Sequence, residues 1–127
     1  MEDYKIYNPE GRSEKYAMLG KYMDFLLGNS TAAAPMWNIE NIRNKKNNKW
    51  NYIDACMISA ILELYDIKKE KRYLDFAKDF VSEFVMEDGS IRTYDPYEYN
   101  IDNIRPGKNL FKLYDLTGEE KYKRAMD

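Results

Sequence analysis

The chain has 127 residues, 44% hydrophobic and 33% charged, with 20 basic against 22 acidic side chains, so it encodes one small domain with a limited core. The near-balanced charge gives no electrostatic footprint for nucleic acid, and the absence of histidine excludes Ser-His-Asp and Cys-His catalysis and imidazole metal sites. A single cysteine, Cys56, excludes an internal disulfide and any CxxC motif, which leaves carboxylates, lysines and tyrosines for chemistry.

The start, MEDYKIYNPE, is polar and acidic, with no basic-then-apolar leader, and no window reaches the ~18 apolar residues that span a bilayer. A cytoplasmic chain without membrane contact is expected. Twelve tyrosines make the chain too aromatic for a disordered segment. Tyr16, Leu19, Met23, Leu26 and Leu27 share one helical face, which predicts a helix over about 13–27 closed by Gly28-Asn29. Residues 28–51 read as a long loop rich in Asn and Lys, with Pro35 and Trp37 embedded. A second helix over about 52–67 carries Ile53, Met57, Ala60, Ile61, Leu64 and Tyr65 on one face. A third, about 70–86, carries Tyr73, Phe76, Ala77, Phe80, Phe84 and Val85. Asp88-Gly89 marks a turn into an irregular loop over 87–105, which holds the tyrosine-rich TYDPYEYN. Pro106 suits the first turn of a helix over about 106–116. Thr117 and Glu120 have capping-box spacing, so a last helix is expected over about 119–127.

An internal repeat underlies these elements. LELYDIKKEKRYLDFAK (62–78) and FKLYDLTGEEKYKRAMD (111–127) align without gaps at an offset of 49, with Leu64, Tyr65, Asp66, Glu70 and Tyr73 recurring as Leu113, Tyr114, Asp115, Glu119 and Tyr122. Each copy reads as a helix end, a tight turn and the start of an antiparallel helix, with tyrosines bridging across the turn. Such hairpins build an all-α solenoid or a closed α/α toroid, here a single partial domain over 1–127.

WNYIDA, LELYDIKKEKRYLDFAKDFV and EDGSIRTYDPYEYNIDNIRPGKNLFKLYDLTGEEKYKRAMD together resemble the amino-terminal part of the unsaturated rhamnogalacturonyl hydrolases and the related unsaturated glucuronyl hydrolases, a group of glycoside hydrolases. The resemblance is good over about 50–127 and loose before it. It implies part of a barrel of six α/α hairpins. It also implies removal of an unsaturated uronic acid (C4=C5) from rhamnogalacturonan-type oligosaccharides by hydration of a vinyl ether, with no metal or organic cofactor. Asp102 in YNIDNI matches the first of the family's two active-site aspartates; Tyr52 matches an aromatic wall of the pocket, with Trp50 and Asn100 as further substrate-binding positions. Ala55 stands where the family's W-x-Y-x-x-G has glycine. Arg105 and Lys108 are left outside the site.

The family's main acid/base aspartate lies in a W-x-D-G segment, and this sequence has none. The expectation is therefore an inactive amino-terminal portion; turnover from it would mean that another carboxylate, such as Asp95 or Asp54, replaces the missing acid. A toroid interrupted after two and a half hairpins also exposes apolar faces, so association through Leu110, Leu113 and Tyr114, or repacking into a compact bundle, is expected. Two other readings stand beside this one: a free-standing helical-repeat module that binds a protein or sugar through the tyrosine-rich loop, and a different α/α-barrel enzyme such as a sugar epimerase relative.

Overall fold

The computed structural model describes residues 9–127, with side chains from Ser13 onward; the first eight residues, part of the segment that shows no leader, lie outside the described residues. The chain is all-α: α1 (Pro9–Gly28), α2 (Ile39–Arg43), α3 (Tyr52–Lys68), α4 (Lys71–Ser82), α5 (Lys108–Thr117) and α6 (Glu120–Met126), with three 3₁₀ turns between Pro96 and Gly107. No described helix is long and apolar enough to cross a membrane.

The repeat is a structural repeat down to its turns. Lys69 and its counterpart Gly118 both close a helix in the left-handed conformation (φ 55° and 70°), and their amides donate to Tyr65 O and Tyr114 O, each at 2.7 Å. Glu70 and Glu119 then open the next helix, and Tyr73 and Tyr122, the first aromatic side chains of α4 and α6, are both fully buried. Even the ion pairs recur: Glu70 meets Arg72 at 2.6 Å, and Glu119 meets Lys121 at 3.4 Å. The tyrosine bridge is present in the second copy, where Tyr114 donates to Glu120 across the turn at 3.3 Å.

The capping box at Thr117 does not form. Gly118 takes the left-handed cap, which keeps Thr117 inside α5; its hydroxyl donates back to Leu113 O at 2.7 Å and accepts from the Glu119 amide at 3.2 Å.

The α3–α4 and α5–α6 hairpins stack side by side, α3 against α5. Asn109, buried in α5, locks the pair: its Nδ2 donates to Ala55 O at 3.0 Å and its Oδ1 accepts from Ser59 Oγ at 2.7 Å. Behind them Lys121 of α6 donates to Ser82 of α4 at 2.9 Å, and Glu119 accepts from Lys78 at 2.9 Å. Gly89 lies where a Cβ would stand 2.5 Å from Arg124 Cβ, so the turn after α4 seats directly on α6.

Because α3 is held between α4 and α5, its buried apolar residues are Ala55, Ile58, Ile61, Leu62 and Leu64, while Ile53 and Ala60 of the expected face are exposed. On α1, Met23 and Leu26 enter the core as expected, but Leu19 stays 43% exposed, and a second apolar stripe, Met18, Tyr22 and Phe25, faces outward. Leu110 and Leu113 are buried inside this chain, so the association face expected there is not available; the open apolar groups of α5 are Phe111 and Leu116.

The long segment before α3 is ordered by one buried carboxylate. Asp54 Oδ1 accepts from Trp37 Nε1 at 2.8 Å, and Oδ2 accepts from Asn48 Nδ2 at 2.6 Å and Asn51 Nδ2 at 2.9 Å. Its amide donates to Asn51 Oδ1 at 2.9 Å, so Asn51 and Asp54 cap α3 reciprocally. Trp37, held this way, packs on Phe80 (5.5 Å) and begins a ring row that runs through Phe84 (6.0 Å) to Trp50 (5.9 Å). Each such pair adds about 0.5–1.5 kcal/mol beyond simple burial.

Two predictions follow from these networks. Burial pushes the Asp54 carboxyl above the usual aspartate range, against the pull of its three donors. Its contribution to stability therefore declines as pH rises from the unfolded value through the raised folded one. Asp54→Asn places an amide donor against two amide donors, and urea unfolding at pH 7 is expected to show a loss of about 1–3 kcal/mol.

Glu119 has the opposite sign: the hydrogen bond from Lys78 holds its carboxyl below the ordinary range despite partial burial. Its stabilisation is present above the unfolded pKa and is lost as pH falls through the folded one. Glu119→Gln is expected to destabilise by roughly 0.5–1.5 kcal/mol at pH 7. The difference from the parent should close as pH falls below the ordinary glutamate range, which pH-dependent urea titrations would check.

Candidate active site

The two short turns lie at one end of the hairpins, and both long connections, 29–51 and 83–107, gather at the other, where α3 and α5 begin. Tyr52 is the first residue of α3 and is 48% exposed. A side-chain hydrogen bond with Cys56, one turn along, does most to raise its phenol above the ordinary tyrosine range; Arg105 draws it back and Asp102 adds a smaller upward push. Both charges thus sit close enough to Tyr52 to act on it. Tyr52, Asp102 and Arg105, the last omitted by sequence reasoning, are all exposed near that end; Arg105 lines the cleft described below, and Tyr52 and Asp102 are not among its lining residues.

The local fold of the 93–107 segment presents Asp102. Asn100 Oδ1 accepts from the Asp102 amide at 3.0 Å and so caps the 3₁₀ turn Ile101–Asn103. That bond occupies Asn100 in supporting the turn, while the Asp102 carboxylate is exposed and takes no hydrogen bond or ion pair among the described residues.

Trp50 fixes this segment from beneath. Its ring is 6% exposed; its Nε1 donates to Asn103 O at 3.0 Å, and its amide donates to Thr93 Oγ1 at 2.8 Å. Thr93 holds φ at 68°, a strained conformation for a β-branched residue, and the bond from Trp50 is one of the contacts that keep it there. Trp50 is thus a buried pillar whose edge reaches a cleft of about 460 Å³, lined also by Tyr94, Asn103, Arg105, Lys108 and Phe111. The cleft joins an aromatic floor to two cations.

The other carboxylates nearby are structurally engaged. Asp54 is buried with both oxygens occupied, and Asp95 Oδ1 accepts from the Tyr97 amide at 2.9 Å as a helix cap. Both carboxylates are therefore occupied in holding the fold. Ala55, in the place of the family's glycine, is 2% exposed, and its carbonyl accepts from Asn109 of α5. Among the described residues no three His, Cys, Asp or Glu side chains are grouped to hold a metal ion.

Asn109 and Thr93 went unremarked in the sequence; their partners lie 54 and 43 residues away, and no local signal marks them. Asn51 and Asp54 carried one, an N-cap residue with an acid three positions later.

Comparison with known proteins places this arrangement. Among solved structures, a glycoside hydrolase of family 105 from C. acetobutylicum is similar, at 32% identity with a TM-score of 0.62 over 81% of this chain. The match takes in 26% of that protein, so this chain spans about a quarter of its length. The sequence profile of Glycosyl Hydrolase Family 88 matches residues 29–127, which include both long connections and both hairpins. By that match the chain belongs to glycosyl hydrolase family 88.

Proposed function

We propose that this chain carries one wall of the active site of a glycosidase that acts on unsaturated uronyl sugars, with Asp102 as one carboxylate of its acid/base pair. The observation that supports this reading is the open Asp102 carboxylate, presented by a capped turn in the long connection that leads into α5, where Arg105 is also exposed. The substrate is an oligosaccharide of rhamnogalacturonan type ending in a uronic acid with a C4=C5 double bond. The reaction is hydration: a proton is delivered to C4, water adds at C5 and loses its proton, and the resulting hemiketal opens to release the neighbouring sugar.

A carboxylate pair suits this traffic, one group giving a proton while the other accepts one. Asp102 is accessible for that exchange, Tyr52 supplies an aromatic wall for the sugar ring, and Trp50 and Asn100 hold the turn in place. Arg105 offers a guanidinium to the uronate carboxylate, a bidentate match in geometry. The second carboxylate is absent from these 127 residues, and a missing general acid–base group costs about 10²–10⁴-fold in rate. The chain by itself is therefore an inactive portion of such an enzyme.

A helical-repeat binding module is the second reading, and one observation favours it: Tyr97 and Tyr99 are 81% and 86% exposed on the loop. The readings separate experimentally. With an unsaturated rhamnogalacturonan disaccharide at roughly millimolar concentration, NMR signals of Tyr52, Asp102 and Arg105 should shift, and absorbance at ~235 nm, where the C4=C5 chromophore absorbs, should stay constant because protonation lacks its partner. Shifts confined to Tyr97 and Tyr99 would support the binding module. Turnover that Asp102→Asn leaves intact would contradict the role of Asp102, and turnover that this variant abolishes would contradict the inactivity.

A further inference from the structure

Thr93 occupies a backbone position that favours a different residue. The Tyr94 amide donates to Ile91 O at 3.2 Å, which makes 91–94 a tight turn with Thr93 third in it, at φ 68°. Glycine or asparagine fills such a position at little cost, whereas a β-branched side chain is strained there. What threonine brings and glycine lacks is a hydroxyl. That oxygen accepts from the Trp50 amide at 2.8 Å, 43 residues away in the chain. The Arg92 amide donates to Phe84 O at 2.8 Å, so the entry to the turn is fixed just past α4, and the Thr93 hydroxyl adds a cross-tie to the start of α3.

Trp50 also holds the far end of the same segment, since its Nε1 donates to Asn103 O at 3.0 Å. One buried residue thus grips the chain at 93 and again at 103. Between these ties little else fixes the path. Among the described residues, the hydrogen bonds of 95–102 stay within 95–104, as in the caps that Asp95 and Asn100 provide to the Tyr97 and Asp102 amides. Tyr97, Tyr99 and Ile101 are exposed, so burial does not hold the span either. Asp102 lies one residue from the second tie.

We propose that Thr93 is a positioning residue for Asp102: its hydroxyl makes the first of two ties on Trp50 and so keeps the Asp102 turn in one arrangement. Thr93 makes no hydrogen bond to Asp102 and acts through Trp50. The bond offsets the strain at φ 68°, which accounts for threonine where the turn favours glycine. The purpose of this positioning rests on the acid/base reading of Asp102, because a group that exchanges protons must be held where the substrate presents its atoms.

Backbone NMR relaxation of the chain with no sugar present tests the positioning apart from the disaccharide titration, so the two can fail separately. The Asp102 amide should show an order parameter of about 0.85, and Thr93→Val, which keeps the shape and removes the acceptor, should lower it toward about 0.6. Thr93→Ala removes the same oxygen and the branched strain with it; it should act alike, and it serves if the valine variant does not fold. Thr93→Ser retains the oxygen and should restore the parent value. Glu119→Gln, which weakens the fold at the opposite end of the hairpins, should leave Asp102 unchanged. An Asp102 amide that is indifferent to loss of the hydroxyl, or already mobile in the parent, overturns the proposal. So does a serine variant as mobile as the alanine one, or an equal fall in Glu119→Gln, which would mean general destabilisation.

Discussion

The buried carboxylate of Asp54 is the constraint on which the rest of this structure depends. It gathers an indole N–H and two amide groups into one point at the start of α3. Burying a charge is unfavourable unless its oxygens are well bonded, and here three donors offset part of that cost. Through Trp37 the carboxylate anchors the connection from α1, and through Asn51 it caps α3. The ring row from Trp37 by Phe80 and Phe84 to Trp50 then carries that order across the end of the hairpins to the second long connection. The segment that presents Asp102 is thus positioned by contacts that begin well away from it.

The division of labour among the carboxylates follows from their environments. Asp54 is buried, fully bonded and raised by desolvation, which suits a structural anchor. Asp102 is solvent-facing, and its carboxylate takes no hydrogen bond or ion pair among the described residues. The acid/base role proposed for Asp102 needs that freedom. Rigid support beneath a free carboxylate is the arrangement that holds reacting groups in place without occupying them.

Much of this was legible in the residues, for identifiable reasons. The repeat is local and strongly patterned, so the hairpins and the turns at Lys69 and Gly118 could be read from spacing. YNIDNI and WNYIDA led to Asp102 and Tyr52, both of which the fold leaves exposed. Three features misled. Thr117 and Glu120 have the spacing of a capping box, but Gly118 takes the left-handed cap and ends α5 one residue later. Leu110 and Leu113 looked like an edge because a single helix shows no sign of which neighbour covers it, and here α3 does. The loop at 28–51 gave no hint of its order, since Trp37 finds its partners 17 to 43 residues along the chain. Contacts of that range leave no periodic trace.

Native-state hydrogen exchange at Trp50 tests the central claim, that the Asp102 segment is held by bonds from a buried pillar. The indole and amide protons of Trp50, bonded to Asn103 and Thr93, should exchange as slowly as core amides of α3 such as Ile61 and Leu62, with protection on the order of 10³ or more. Exchange of these protons as fast as that of the exposed amides around Tyr97 and Tyr99 would contradict the account, because the segment would then open without disturbing the core.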